Sequence, residues 1–106
     1  MNEVVKIVVF VPESHAEIVR EAMGEAGAGK IGNYSFCSFS SKGTGRFLPG
    51  EGAHPAIGTL GTMELVKEER IEVVCDKELL ELVTAAIKVA HPYEEVALDI
   101  YPLLSE

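Results

Sequence analysis

No run of apolar residues in the 106-residue chain approaches the roughly 18 that a bilayer span needs. The opening stretch, Met1 to Lys6, has no basic n-region followed by an apolar segment and a small-residue cleavage site, so no secretory signal is expected and the expected compartment is the cytoplasm. Basic charge is scarce: nine Lys and Arg stand against seventeen Asp and Glu, a net charge of −8 that opposes the counterion release driving DNA and RNA binding. Neither nucleic acid nor membrane is an expected partner. Cysteine is limited to Cys37 and Cys75, too far apart for C-x-x-C redox or zinc spacing, and an isolated pair in a reducing compartment stays as packing thiols. Ser38, Ser40 and Ser41 lack a G-x-S-x-G elbow, and Cys37 lacks a neighbouring histidine with a third group to orient it, so no nucleophilic catalyst is expected.

The composition is 47% hydrophobic and 25% charged, too apolar for a disordered chain and of a length for one compact domain over residues 1–106. Charge and glycine are unevenly spread. Nine of the ten glycines fall between Gly27 and Gly61, and from Lys30 to Met63 the charges are Lys30, Lys42, Arg46 and Glu51, a net of +2 that leaves −10 for the rest. A mildly basic, Gly-rich middle interrupts an acidic scaffold.

Val4 to Val11 is β-branched and almost continuously apolar, which predicts a central strand stopped by Pro12. Ser14 followed by Glu17 reads as a capping box, after which His15, Ile18, Val19, Ala22, Met23 and Ala26 recur at helical spacing up to Gly27. Asn33 to Ser41 alternates aromatic and small polar residues, Lys42-Gly43-Thr44-Gly45 follows, and Arg46-Phe47-Leu48 returns; this predicts a hairpin-like excursion whose Ser40 to Gly58 portion is mobile. Met63 to Val74 predicts a long strand with irregularity around Lys67 to Arg70. Asp76 caps a second predicted helix whose stripe is Leu79, Leu82, Val83, Ala86, Ile87 and Ala90, and His91-Pro92 ends it. Val96, Leu98 and Ile100 alternate with Ala97, Asp99 and Tyr101 in a last strand closed by Pro102.

The order βαββαβ predicts an α+β, ferredoxin-like fold, an antiparallel sheet with two helices on one face. With the other face uncovered and the third strand long, a homo-oligomer is expected.

Gly32-Asn33-Tyr34-Ser35-Phe36-Cys37-Ser38-Phe39, Gly43-Thr44-Gly45-Arg46-Phe47-Leu48-Pro49, Gly52-Ala53-His54-Pro55-Ala56-Ile57-Gly58 and His91-Pro92-Tyr93-Glu94-Glu95 together resemble the YqfO-type domain of the NIF-three-like (NGG-one-interacting-factor-like) family. The resemblance runs from about Val4 to Leu103 and singles out Asn33, Tyr34 and Tyr93 as motif residues. It implies a fold similar to the trimeric CutA and PII signalling proteins, hence a trimer. The larger members of the family hold a dinuclear metal site in halves that flank this domain, so no ligand set carries over and no catalytic residue is assigned. What it implies is a non-catalytic binding or regulatory module. The alternatives are a divalent-metal-binding protein related to cation tolerance and a metal-dependent hydrolase.

Three stretches have chemical content. Gly24 to Lys30 spells G-x-x-x-x-G-K, but Ile31 replaces the magnesium-binding Ser or Thr and the stretch closes a helix, so it reads as a terminating turn. Lys42, Gly43, Gly45 and Arg46 set flexible amides between two cations, a cradle for an anion or a partner protein, and the equivalent excursion of PII proteins engages effectors; glycines that merely permit a turn are the alternative. In His91-Pro92-Tyr93-Glu94-Glu95 the helix dipole and two carboxylates favour the imidazolium. The same groups, His91, Glu94 and Glu95, suit a divalent metal such as zinc or copper if His54 joins them; otherwise the stretch caps the helix and lies at a subunit junction facing Lys30, Lys42 or Arg46. His15 reads as a packing residue, and Glu68, Glu69, Glu72, Glu78 and Glu81 as a solvated acidic face.

Overall fold

The computed structural model describes residues 3–104. Strand β1 (Val4–Pro12) leads through a 3-10 turn (Glu13–His15) into helix α1 (Ala16–Glu25); β2 (Phe39–Phe47) and β3 (Glu64–Asp76) follow, then a second 3-10 turn (Lys77–Leu79), α2 (Leu80–Ala90) and β4 (Leu98–Pro102). The sheet order is β2-β3-β1-β4, with every neighbouring pair antiparallel, as expected of the βαββαβ order. Among the described residues no helix is long and apolar enough to cross a membrane.

Because side chains alternate along a strand, β1 and β3 each divide between two faces. Val5, Ile7, Val9 and Val11 of β1 join Ile71, Val73 and Cys75 of β3, Val19 and Met23 of α1, and Val83 and Ile87 of α2 in one buried cluster. This is the helix-covered face. The helical stripes are narrower than the spacing suggests, since Ile18 and Leu82 are 54% and 59% exposed. Cys75 lies in the core and its thiol is pushed up by burial, then by Asp76, while Cys37 is half-buried; both are free thiols.

Several local expectations are corrected. Neither Ser14 nor Asp76 makes a side-chain cap: each helix is entered through a 3-10 turn, and the Ser14 hydroxyl lies 2.8 Å from His15 Nδ1. Pro12 and Pro102 are the last residues of their strands, which end there because proline has no N–H to donate, and β4 begins at Leu98, after Val96. The turn at Gly24–Lys30 is a helix terminator as expected, with Ala28 N–H donating to Met23 O (3.0 Å) and Gly27 N–H to Gly24 O (3.1 Å) around Gly27 at φ +108°.

The largest difference concerns residues 39–47. Lys42, Gly43, Gly45 and Arg46 are not a hairpin tip; they lie inside β2, which pairs without a break with β3 from Phe39↔Glu72 to Phe47↔Glu64. That pairing also removes the irregularity expected at Lys67 to Arg70. The left-handed backbone that a tight turn needs falls instead on Gly52, Gly58 and Gly61, in the 48–63 connection. Since β1 reaches only as far as Pro12↔Glu68, the Thr44–Phe47 and Glu64–Lys67 portions run past it as a two-stranded arm.

Candidate functional site

Residues 91–97 carry the chain from the end of α2 to β4, past the C-terminal end of β1, where Phe10 N–H donates to Ala97 O at 3.1 Å. Pro92 blocks continuation of the helix, and His91 takes an extended conformation as its last cap, its N–H bonded to Ile87 O at 2.8 Å. His91 is 6% exposed, and its ring is used at both nitrogens. Nδ1 accepts the Tyr93 N–H at 3.1 Å, which leaves the ring proton on Nε2 to be donated to Phe10 O at 2.7 Å. Burial lowers the affinity of His91 for a second proton, against the raising effects of the Phe10 carbonyl and Glu68. The expected imidazolium is thereby corrected: a helix C-terminus favours positive charge, but a dry ring accepting an amide hydrogen favours the neutral form.

Tyr93 continues the connection to the open face of the sheet. Its ring packs edge-on against Phe47 (centroids 5.5 Å apart) and tilted against His91 (5.1 Å), and its hydroxyl donates to Glu68 Oε2 at 3.2 Å. The phenol is pushed up to about 12 by burial, then by the Glu68 charge and hydrogen bond. Glu68, expected on a solvated acidic face, is 9% exposed. It lies against β2 where Gly45 has no side chain, and a Cβ there would collide with the carboxylate.

Around this pair lies a groove of about 550 Å³, lined by Phe10, Phe47, Glu68, Arg70, Tyr93 and Glu95 together with the β2 segment 41–46. By strand alternation the β2 positions sharing Glu68's face are Ser41, Gly43, Gly45 and Phe47, whereas Lys42, Thr44 and Arg46 belong to the other face. Lys42 accordingly reaches Glu13 of the first 3-10 turn, at 3.7 Å. The two cations expected to flank an anion cradle therefore do not share a side with Gly43 and Gly45. Arg70, on Glu68's own face, is bonded through Nε to Glu72 Oε2 at 3.2 Å and sits 5.6 Å over the Phe10 ring.

The four metal candidates are not gathered into a ligand set. Both His91 nitrogens are occupied, and His54 approaches Glu94 through its backbone N–H, at 2.6 Å from Oε1, where a carboxylate fastens the 48–63 connection. Glu94 and Glu95 border a second, smaller hollow lined largely by Phe47, Leu48, Pro49 and Ile57. Among the described residues of one chain no three His, Cys, Asp or Glu stand together as metal ligands.

Asn33 and Tyr34 sit apart from the groove, in a tight turn closed by an Ile31↔Tyr34 bridge over Gly32 at φ +58°, with Tyr34 75% exposed. Arg20 was not singled out by sequence, yet it joins α1 to the sheet: its guanidinium meets Glu69 Oε1 at 2.6 Å and Ser40 Oγ at 3.1 Å. The Glu69 hydrogen bond raises Arg20 further above its ordinary value. A signal for Glu68 was present only in the period of two, which puts 68 and 69 on opposite faces once a strand is drawn through them.

No family model matches the chain. It is 54% identical over 101 residues to a "GTP cyclohydrolase 1 type 2 homolog" of Halalkalibacterium halodurans, covering 95% of this chain and 27% of that protein. A protein of the same name from Bacillus subtilis is 53% identical over 98 residues, covering 92% and 26%. The chain thus spans about a quarter of the length of the curated relatives it matches. Among solved structures, a Bacillus cereus protein related to NIF3 superimposes with a TM-score of 0.83 at 55% identity over 96% of this chain and 26% of that one. The divalent cation tolerance protein CutA of Archaeoglobus fulgidus (TM-score 0.69, 17% identity, covering 97% and 86%) and B. subtilis GlnK (0.63, 17%, covering 95% and 85%) share the fold.

Proposed function

We propose, from the chain's place in the NIF3-like family as a YqfO-type domain, that it acts as a non-catalytic, homo-oligomeric binding module of the CutA and PII kind, assembled as a trimer. The observation that carries this reading is the uncovered sheet face. Both helices lie over the Val5–Ile7–Val9–Val11 side, while Phe39 (69% exposed), Tyr101 (43% exposed) and the long β2–β3 arm are left on or beyond the other. Exposed aromatic groups and an unpaired edge at β2 are costly in a lone chain and useful in an assembly. What supports the non-catalytic part of the reading is His91, whose two ring nitrogens are both taken up by backbone groups.

Sedimentation equilibrium tests the assembly. Three times the 11.4 kDa of one chain is expected, and a single-chain mass at micromolar concentration overturns it. The name carried by the relatives supplies the other arm. Turnover of GTP by the purified chain, with or without added zinc or manganese, would overturn the non-catalytic reading.

A further inference from the structure

We propose that the outer surface of the two helices docks an amphipathic helix of another protein, one whose apolar row is bordered by lysines or arginines. This rests on the binding-module reading and gives that module a partner of stated chemistry. In α2 only Glu81, Thr84 and Lys88 of eleven residues are polar, and their spacing of three and four sets them on one flank. Val83 and Ile87 take the core side. Leu82, Ala85, Ala86 and Val89, at i, i+3, i+4 and i+7, form a further apolar row that looks outward, with Leu82 59% and Val89 89% exposed. A helix with two apolar sides is suited to cover on both, and the sheet supplies only one.

The neighbouring helix decides the chemistry of that cover. α1 lies against α2 and carries Glu17, Glu21 and Glu25 at successive i+4 positions, a row of exposed carboxylates. Like charges at this spacing destabilise a helix, and cations laid along them relieve the repulsion. Arg20 does not serve the row: it is 2.6 Å from Glu69 and 3.6 Å from Glu17, and among the described residues Glu21 and Glu25 form no ion pair. Ile18, 54% exposed, adds an apolar group beside the carboxylates.

An apolar row on α2 next to an acidic row on α1 matches a helix with the complementary pair of rows, and the net charge of −8 favours the approach of a cationic segment. A second copy set face to face here would oppose carboxylates to carboxylates. The helices lie opposite the open sheet face, so association of copies through that face leaves this surface free.

The test titrates the synthetic peptide KLAKLAKKLAKLAK, a basic amphipathic helix, into the full chain and follows amide NMR shifts, with ELAELAEELAELAE as its acidic counterpart. Saturable shifts at Ile18, Glu21, Leu82 and Val89 are expected with the basic peptide, and at least tenfold weaker binding with the acidic one. At least a tenfold loss is expected in Leu82→Ser with Val89→Ser, and again in Glu21→Lys with Glu25→Lys. All four side chains are exposed, and an unchanged spectrum in the strands verifies the fold of each variant. Equal affinity for the two peptides, unchanged affinity in either double variant, or no saturable shift at these amides overturns the assignment. If copies of the chain cover the helices instead, Leu82→Ser with Val89→Ser lowers the assembly mass and the basic peptide fails to bind the wild type, which also overturns it. The mass of the wild-type chain without peptide reports on the oligomer separately, so helix docking can fail while the assembly stands, and the reverse.

Discussion

Glu68 and Glu69 adjoin in β3 and meet opposite electrostatic surroundings. Glu69 turns to the helix side and is clasped by Arg20 at 2.6 Å; Glu68 turns to the open side and, among the described residues, is held by the Tyr93 hydroxyl alone. A single peptide unit separates a neutralised carboxylate from an unneutralised one, because successive strand residues face opposite sides of a sheet.

The Arg20–Glu69 contact ties α1 to β3, with side-chain exposures of 24% and 13%. Arg20→Ala is expected to destabilise the chain by about 1–2 kcal/mol, between the values for exposed and fully buried pairs. A double-mutant cycle with Glu69→Ala, measured by urea unfolding, is the check. A coupling indistinguishable from zero would show that the contact adds nothing.

Tyr93→Phe removes the donor to Glu68 and is expected to cost about 1 kcal/mol at neutral pH. The folded phenol is raised from 10 to about 12, so its contribution is complete below pH 10 and is lost as the pH climbs towards 12. Ultraviolet titration of the folded protein should show a tyrosinate step near pH 12 that disappears in Tyr93→Phe. If the step persists in the variant, it belongs to another residue.

His91 acts in the acid range. Its folded value lies below the unfolded 6.5, so the unfolded chain takes up the proton first. Stability carried by neutral His91 is full above pH 6.5 and declines as the pH falls through the folded value. Unfolding curves for the wild type and His91→Gln, collected from pH 7.5 down to 5, should converge as the pH drops. Parallel curves would mean that the ring is not held neutral.

Gly29 connects two segments, its N–H bonded to Val74 O at 2.7 Å and its carbonyl accepting Cys37 N–H at 2.9 Å. At φ +82°, a Cβ would stand 2.5 Å from Cys37 O and 2.8 Å from Cys37 N. Those atoms are backbone and cannot swing aside. Gly29→Ala is expected to destabilise by more than about 1 kcal/mol, whereas Gly43→Ala, with open space around it, should change stability by about half that or less. Similar melting temperatures for the two variants would refute the contrast.

The order of elements, the strand ends at Pro12 and Pro102, and the core positions Val5, Ile7, Val9, Val11, Val19, Met23, Val83 and Ile87 were legible from the chain. These depend on local periodicity and on proline's missing N–H, properties that a short window of residues contains. Residues 42–46 were not legible in the same way. Lys-Gly-Thr-Gly-Arg suits a turn by composition and becomes a strand only because β3, some twenty residues away, offers it a continuous ladder.

The site divides along the same line. His91, Pro92 and Tyr93 were marked by sequence as a helix end rich in polar groups, and that much is a local property. That His91 is dry and neutral, that Tyr93 reaches Glu68, and that Gly45 makes room for the carboxylate depend on contacts across 81, 25 and 23 positions of chain. A carboxylate in a strand is exposed or buried according to what the fold lays over it, so composition marked Glu68 and Glu69 alike, and only the tertiary structure, by setting register and by bringing the 91–97 connection across the end of β1, made one an ion pair and the other the floor of a groove.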